Sequence, residues 1–253
     1  MLREPVILQS AGRAGFDRRA EPSELAELMD GPCSYEEFRA CLKDLEKVNR
    51  FTRAYKPTIN FLEHVVSRES LPKPLRILDV GSGGGDMLRR IAEWARRETI
   101  EVELTGIDLN PHSTRTAQEF SAGRGPAAGI RWVNGDIFRY NPPGGVDVVL
   151  SALFTHHLES EEIVRFVGWM EHHAQCGWFI NDLHRSERAA RWFRVLPILF
   201  RWHHFIKYDG PVSLRRAFVD QDWVRLLSEA GVPQGVAQIE HYPMNRLCVA
   251  RLR

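Results

Sequence analysis

Residues 76–86, Arg-Ile-Leu-Asp-Val-Gly-Ser-Gly-Gly-Gly-Asp, constrain the fold of this chain more than any other stretch. An apolar run enters Asp79, and a turn carrying Gly81, Gly83, Gly84 and Gly85 follows before a helix predicted over 86–97. Glycine accepts positive φ and has no Cβ, so backbone at such a turn can approach a ligand closely. A helix that opens there leaves its first N–H groups without intrahelical partners and aims them at that ligand. Strand, glycine turn and helix together start a parallel α/β unit.

The downstream sequence repeats the alternation. Strands are predicted at about 75–80, 101–107, 130–135, 146–152 and 176–182, and helices at about 86–97, 112–122 and 159–173. A helix over 213–231 is expected to be capped by Ser213 and stopped by Gly231, and 235–242 with 245–252 read as a hairpin around Pro243-Met244. Alternation of this kind implies right-handed crossovers and a largely parallel sheet. Three successive strands end in polar groups: Asp108, which lies 23 residues beyond Gly85, Asp136, and Ser151. Doubly wound sheets bind ligands at that end, and an acid at the spacing of Asp108 suits a ribose hydroxyl pair.

With these motifs in place the chain resembles the class I S-adenosylmethionine (SAM)-dependent methyltransferases, from about residue 74 to the C-terminus. Asp79-Val80-Gly81-Ser82-Gly83-Gly84-Gly85 matches the family's acid-x-Gly-x-Gly-x-Gly motif, Asp108 its ribose-binding acid, Asp136-Ile137 its adenine-edge position, and Asp147-Val148-Val149-Leu150-Ser151 its fourth motif. Dinucleotide dehydrogenases are the competing family. They favour G-x-G-x-x-G/A, whereas the glycines here fall at Gly81, Gly83 and Gly85. The resemblance implies a Rossmann-like, doubly wound α/β fold with seven mostly parallel strands and a reversed last strand. It implies SAM as cofactor, held by Asp79, Gly81, Ser82, Gly83, Gly85, Asp86, Met87, Asp108, Leu109, Asp136, Ile137 and Ser151.

Two helical additions are expected around this sheet. The first spans residues 1–73: a loose Gly/Arg-rich arm over 1–20, a helix start at Pro22-Ser23-Glu24, and two helices whose apolar residues recur at helical spacing. Ser34 and Glu37 fit a capping box for the longer one. At its end Asn49, Arg50 and Lys56 are candidates to meet the donor's carboxylate, with Arg50 preferred because a guanidinium grips carboxylate bidentately. A soft boundary falls at 71–74, so the SAM-binding domain is taken as 74–253. The second addition, an insert at 184–212 rich in Trp, Phe, Leu and Ile, reads as one or two helices with Pro197 at a kink or start. Its place after a strand end suits a lid.

The candidate chemistry lies in the back half. His156 and His157 follow the fourth strand and His184 the fifth, and imidazole is suited to accept a hydroxyl proton near neutral pH. Asp182 can orient one of them. These three histidines are the catalytic candidates for SAM-dependent methylation of a small aromatic or polyketide-like acceptor, first as O-methylation of a phenol or other hydroxyl with a histidine base. C-methylation of a quinone-type precursor and a non-catalytic SAM-binding scaffold are the alternatives. A resemblance to bacterial methyltransferases of secondary metabolism supports the small-molecule reading. Asp147, Asn181 and Asp182 are similar to a catechol-type metal set, but Asp147 sits at the wrong end of its strand, and no metal is expected.

Composition excludes other classes. A net charge of +1 gives no field to draw the chain to nucleic acid. Four cysteines without C-x-x-C spacing read as reduced thiols of a cytoplasmic protein. With no apolar run of spanning length, no stable membrane insertion is expected.

Overall fold

The computed structural model describes residues 15–68 and 72–253. Most of the Gly/Arg-rich arm and the Leu71 side of the 71–74 boundary lie outside the described residues. Seven strands form one sheet: β1 (Leu75–Val80), β2 (Val102–Asp108), β3 (Arg131–Asn134), β4 (Val146–Ala152), β5 (Ala174–Leu183), β6 (Gln238–Tyr242) and β7 (Arg246–Leu252). Their order is β3-β2-β1-β4-β5-β7-β6. All pairs are parallel except those of β7, which runs antiparallel to β5 and β6. This is the doubly wound, mostly parallel sheet with a reversed last strand that the motifs imply.

The central strands read as near-continuous apolar runs because helices cover both faces. On one face α3 (Asp86–Arg97) and α2 (Lys56–Val66) pack Leu88, Ile91, Trp94 and Phe61 against Ile77, Val148 and Phe179. On the other, α5 (Ser160–His173) and α8 (Asp220–Glu229) pack Phe166, Met170, Trp223 and Leu226 against Val149, Trp178 and Val249. α4 (Pro111–Ser121) connects β2 to β3.

The helical additions lie over the carboxyl ends of the strands. α1 (Tyr35–Phe51) begins with a complete capping box between Ser34 and Glu37. α6 (Glu187–Leu199) and α7 (His204–Arg216) form the insert, with Pro197 in the last turn of α6. No helix among the described residues is long and apolar enough to cross a membrane.

Four local expectations are corrected. Ser213 caps no helix: α7 runs through it to Arg216, and its hydroxyl bonds Glu27 and the Asp209 carbonyl. The chain then breaks at Ala217–Val219, where Phe218 bridges to His184, before α8 starts at Asp220. Pro22-Ser23-Glu24 forms a turn, because Glu21 and Glu24 bind the nearby arginines, and only a short 3₁₀ turn follows at Leu28–Asp30. Residues 15–20 are tied down: Arg19 is buried and donates to the carbonyls of Arg216 and Leu158. The first hairpin strand starts at Gln238, because Gly235 turns at φ +79°.

Asp147 has a purely structural place at the amino end of β4. It is fully buried and takes hydrogen bonds from the Arg76 amide and guanidinium at 2.7–3.0 Å. Asp147→Ala leaves Arg76 without its partner and should cost about 3 kcal/mol in urea unfolding. Calorimetry with SAM, the cofactor the motifs imply at the other end of the sheet, should give an affinity within about twofold of wild type.

Candidate active site

The ends of β1, β2, β4 and β5 and the start of β7 open into a cavity of about 650 Å³, roofed by α1, α6 and α7. At its floor the glycine turn meets both demands that require glycine. Gly81 has φ +70°, and a Cβ there would sit 2.4 Å from the Phe154 ring. Gly85 has φ +74°, and a Cβ there would sit 2.3 Å from Trp132. Gly81, Ser82, Gly83 and Gly84 line the cavity, and α3 opens from the turn.

Two carboxylates define one end of the cavity. Asp79 is buried, and its Oδ1 has no hydrogen-bond partner among the described residues. Burial, then the charges of Asp86 and Asp108, raise its pKa well above the usual carboxylate range. Such a group favours a cation beside it, since an unpaired buried charge is costly. Asp108 accepts the Gly83 and Asn110 amides, both at 2.9 Å, one on each oxygen. Burial still raises its pKa above the ordinary value, outweighing those bonds. Asp86, at the start of α3, takes hydrogen bonds from Asn49 Nδ2 (2.9 Å) and the Tyr55 hydroxyl (2.7 Å). These contacts fasten the α1–α2 corner to the glycine turn.

The other end holds a buried ionic network. Asp182, fully buried at the end of β5, accepts from Thr155 Oγ1 (2.5 Å), the His156 amide (3.1 Å) and the Leu183 amide (2.7 Å). Its Oδ1 lies 2.7 Å from His156 Nδ1. Burial pushes its pKa up, but the His156 ring and these donors hold it well below the carboxylate range. An ionised carboxylate only accepts, so Nδ1 of His156 donates to it, and the tautomer this selects has Nε2 as its acceptor. That Nε2 lies 3.8 Å from Glu27 Oε1.

His157 turns its Nδ1 to Asp30 at 2.9 Å and its Nε2 toward Glu27 at 3.9 Å. Burial lowers its pKa, but Glu27 and Asp30 outweigh that and push it up to about 9. Fully buried Arg216 closes the network, with Nη1 at 3.0 Å from Asp30 and 3.4 Å from Glu27 and Nε donating to the His156 carbonyl. Asp209 of α7 is pushed up to about 7, by burial first and then by Glu27. Ligand atoms of Glu27, His156 and His157 lie within 4.8 Å of one another, a set able to take a divalent cation. Positive charge at that place is already supplied by Arg216 and protonated His157.

Comparison with known proteins agrees with this geometry. Residues 77–177 match a methyltransferase domain model. The stretch from β1 to the first part of β5 therefore carries a methyltransferase domain. The buried Asp79 and the glycine turn on the cavity wall fit the SAM that the sequence motifs imply. A SAM-dependent methyltransferase from Aquifex aeolicus superposes with a TM-score of 0.58 at 16% identity, over 87% of this chain and 98% of its own. The plantazolicin methyltransferase BpumL, solved with S-adenosylhomocysteine, gives 0.53 at 15% identity over 87% and 88%. A candidate O-methyltransferase from Nostoc punctiforme gives 0.51 at 16% identity over 81% of this chain, and the matched part spans 59% of that protein. At these identities the likeness is one of fold. No curated protein matches the sequence.

The methyltransferase cavity gathers most of the residues singled out from sequence. Asp79, Gly81, Ser82, Gly83, Asp86, Met87, Asp108 and Leu109 line it, as do His156 and His157. Other candidates lie off its wall. His184 packs against the His241 ring at 5.1 Å, and its carbonyl is taken by Asn245 Nδ2. Arg50 is exposed, and Asn49 faces the cavity in its place. Asp136 caps its own 3₁₀ turn by accepting from the Phe138 amide, and Ile137 belongs to the core. Gly85 packs under Trp132, and the Ser151 hydroxyl is buried without a partner. Sequence reading missed Glu27, Asp30, Tyr55, Arg216 and Arg246. Only Arg246 left a signal, a lone cation opening the apolar strand Leu247–Ala250.

The network predicts a pH dependence of stability. His157 binds its proton more tightly folded (about 9) than at its ordinary 6.5. Its contribution is therefore complete below 6.5 and is lost as pH rises toward 9. His157→Gln should flatten the fall in Tm between those two pH values, and a wild-type Tm that stays level across that window would refute the assignment.

Proposed function

We propose that this methyltransferase transfers the methyl group of SAM to a hydroxyl of a small, largely apolar aromatic or polyketide-like acceptor, with His156 as the general base. The observation that carries this reading is the His156–Asp182 pair on the cavity wall. Asp182 fixes the ring's tautomer and orientation, and Nε2 is left as the acceptor. When bound, SAM supplies a methyl group activated by a sulfonium sulfur. Asp79 holds the donor's ammonium, Asp108 its ribose hydroxyls, and the turn at Gly81–Gly83 its backbone contacts.

The rest of the cavity suits such an acceptor. Leu42, Leu45, Phe154, Phe193, Ile206 and Met244 supply apolar walls, and α6–α7 with α1 act as a lid that excludes water. His156 takes the hydroxyl proton as the oxygen attacks, and the resulting imidazolium is stabilised by Asp182 and Glu27. His157, already protonated and tied to Asp30, serves to hold the N-terminal segment against the site.

His156→Ala should lower turnover by about 10²-fold or more, while SAM affinity stays within a few fold. His184→Ala should leave turnover unchanged. An unaltered rate in His156→Ala would remove the base. SAM binding without turnover of any phenolic acceptor would favour the scaffold reading. For the donor, calorimetry on Asp108→Ala should show affinity reduced by about tenfold or more. Activity should persist in excess chelator, and abolition with rescue by a divalent ion would assign the Glu27–His156–His157 set to a metal.

A further inference from the structure

Arg246 opens β7 directly opposite Leu183 at the end of β5, and it lines the cavity. It is 4% exposed. Its Nε and Nη1 have no hydrogen-bond partner among the described residues. Proteins rarely leave a guanidinium dry and unpaired, because each buried donor without an acceptor forfeits its hydration. The carboxylates whose charge acts on it are Asp182 and Asp86. Both are already engaged: Asp182 by Thr155, His156 and Leu183, and Asp86 by Asn49 and Tyr55. No carboxylate among the described residues pairs with its Nε or Nη1.

We propose that Arg246 anchors a carboxylate carried by the methyl acceptor, so that the substrate is an apolar hydroxylated molecule bearing an acid group. This deepens the reading given above and rests on it. The planar fork of a guanidinium matches the two oxygens of a carboxylate, and the match is strongest where water is excluded. Position separates this anchor from the donor end. Arg246 lies on β7, and β4 and β5 intervene between it and β1, which carries Asp79. Asp86 acts on both groups, but Asp108 acts on Asp79 and not on Arg246, and Asp182, the partner of His156, acts on Arg246 and not on Asp79. The cavity therefore carries two uncompensated charges of opposite sign, one toward the donor's ammonium and one on the side of the proposed base. An acid held at Arg246 fixes the acceptor at one end while its hydroxyl reaches His156.

The test measures binding to the full protein saturated with S-adenosylhomocysteine. The probes are para-hydroxybenzoate, hydroxyphenylacetate, hydroxyphenylpropionate and their long-chain alkylated forms, each against its methyl ester. The expected result is that wild type binds at least one acid about tenfold tighter than its ester. Arg246→Met should bind acid and ester alike, Arg246→Lys should keep part of the preference, and SAM affinity should change by less than about threefold in both. Tm of Arg246→Met should equal or exceed wild type, since an unpaired buried charge has been removed. No acid preferred over its ester in wild type would overturn the proposal. So would a SAM affinity about tenfold weaker in Arg246→Met, which would assign the arginine to the donor's own carboxylate. A lowered Tm with an unchanged acid preference in Arg246→Lys and Arg246→Met would make its role structural. Failure of wild type to bind SAM would overturn the methyltransferase reading itself, separately from this anchor.

Discussion

Asp182 is the group on which the rest of the site depends. A carboxylate fully buried at a strand end is tolerated only when its oxygens are taken up by donors, and here four donors converge on it. Two of these are main-chain amides and one is the Thr155 hydroxyl, so the carboxylate fixes the path of the chain leaving β4 and β5 as well as the His156 ring. The turn at Thr155–His157 is in turn the platform against which Arg216, Glu27 and Asp30 assemble. Replacing this pattern with apolar side chains would fill the same volume but would leave nothing to orient an imidazole.

The two ends of the cavity solve opposite electrostatic problems. Toward β1 and β2, carboxylates are crowded by burial and by one another, and the backbone N–H groups of the glycine turn only partly offset this. Toward α7, acids and bases are matched within the chain, which holds Asp30 far below its ordinary pKa and His157 above its own. The first end is left incomplete for a cationic donor. The second is matched largely within the chain, with buried guanidinium nitrogens left over on Arg216 and Arg246.

Much of this was legible in the sequence because it rests on local rules. The glycine turn, the acid closing β2 and the alternation of strand and helix follow from φ/ψ freedom and periodicity, and the Ser34–Glu37 box from capping chemistry. His156 and Asp182 could be named because each directly follows or ends a strand. What could not be read is long-range. Nothing around Glu27 or Asp30 marks them as partners of His157, and Arg216 is one arginine among many until α7 buries it. The expected cap at Ser213 failed for the same reason: its hydroxyl found Glu27, a residue distant in sequence, so the helix did not begin there. His184 looked equivalent to His156 by its position after a strand, but the hairpin end at Asn245 claims its backbone and turns it to His241.

The ties between Asp30 and His157 and between Asp30 and Arg216 span 127 and 186 residues of chain. Contacts so far apart close large loops, and they form late because the entropy of closure must be met before they contribute. The N-terminal segment docks on residues 157–160 and on α7, so it is fully seated only once residue 216 has followed. The sheet and its glycine turn can thus take shape while the acceptor wall is still missing. The cavity is complete only once these distant parts of one polypeptide have met.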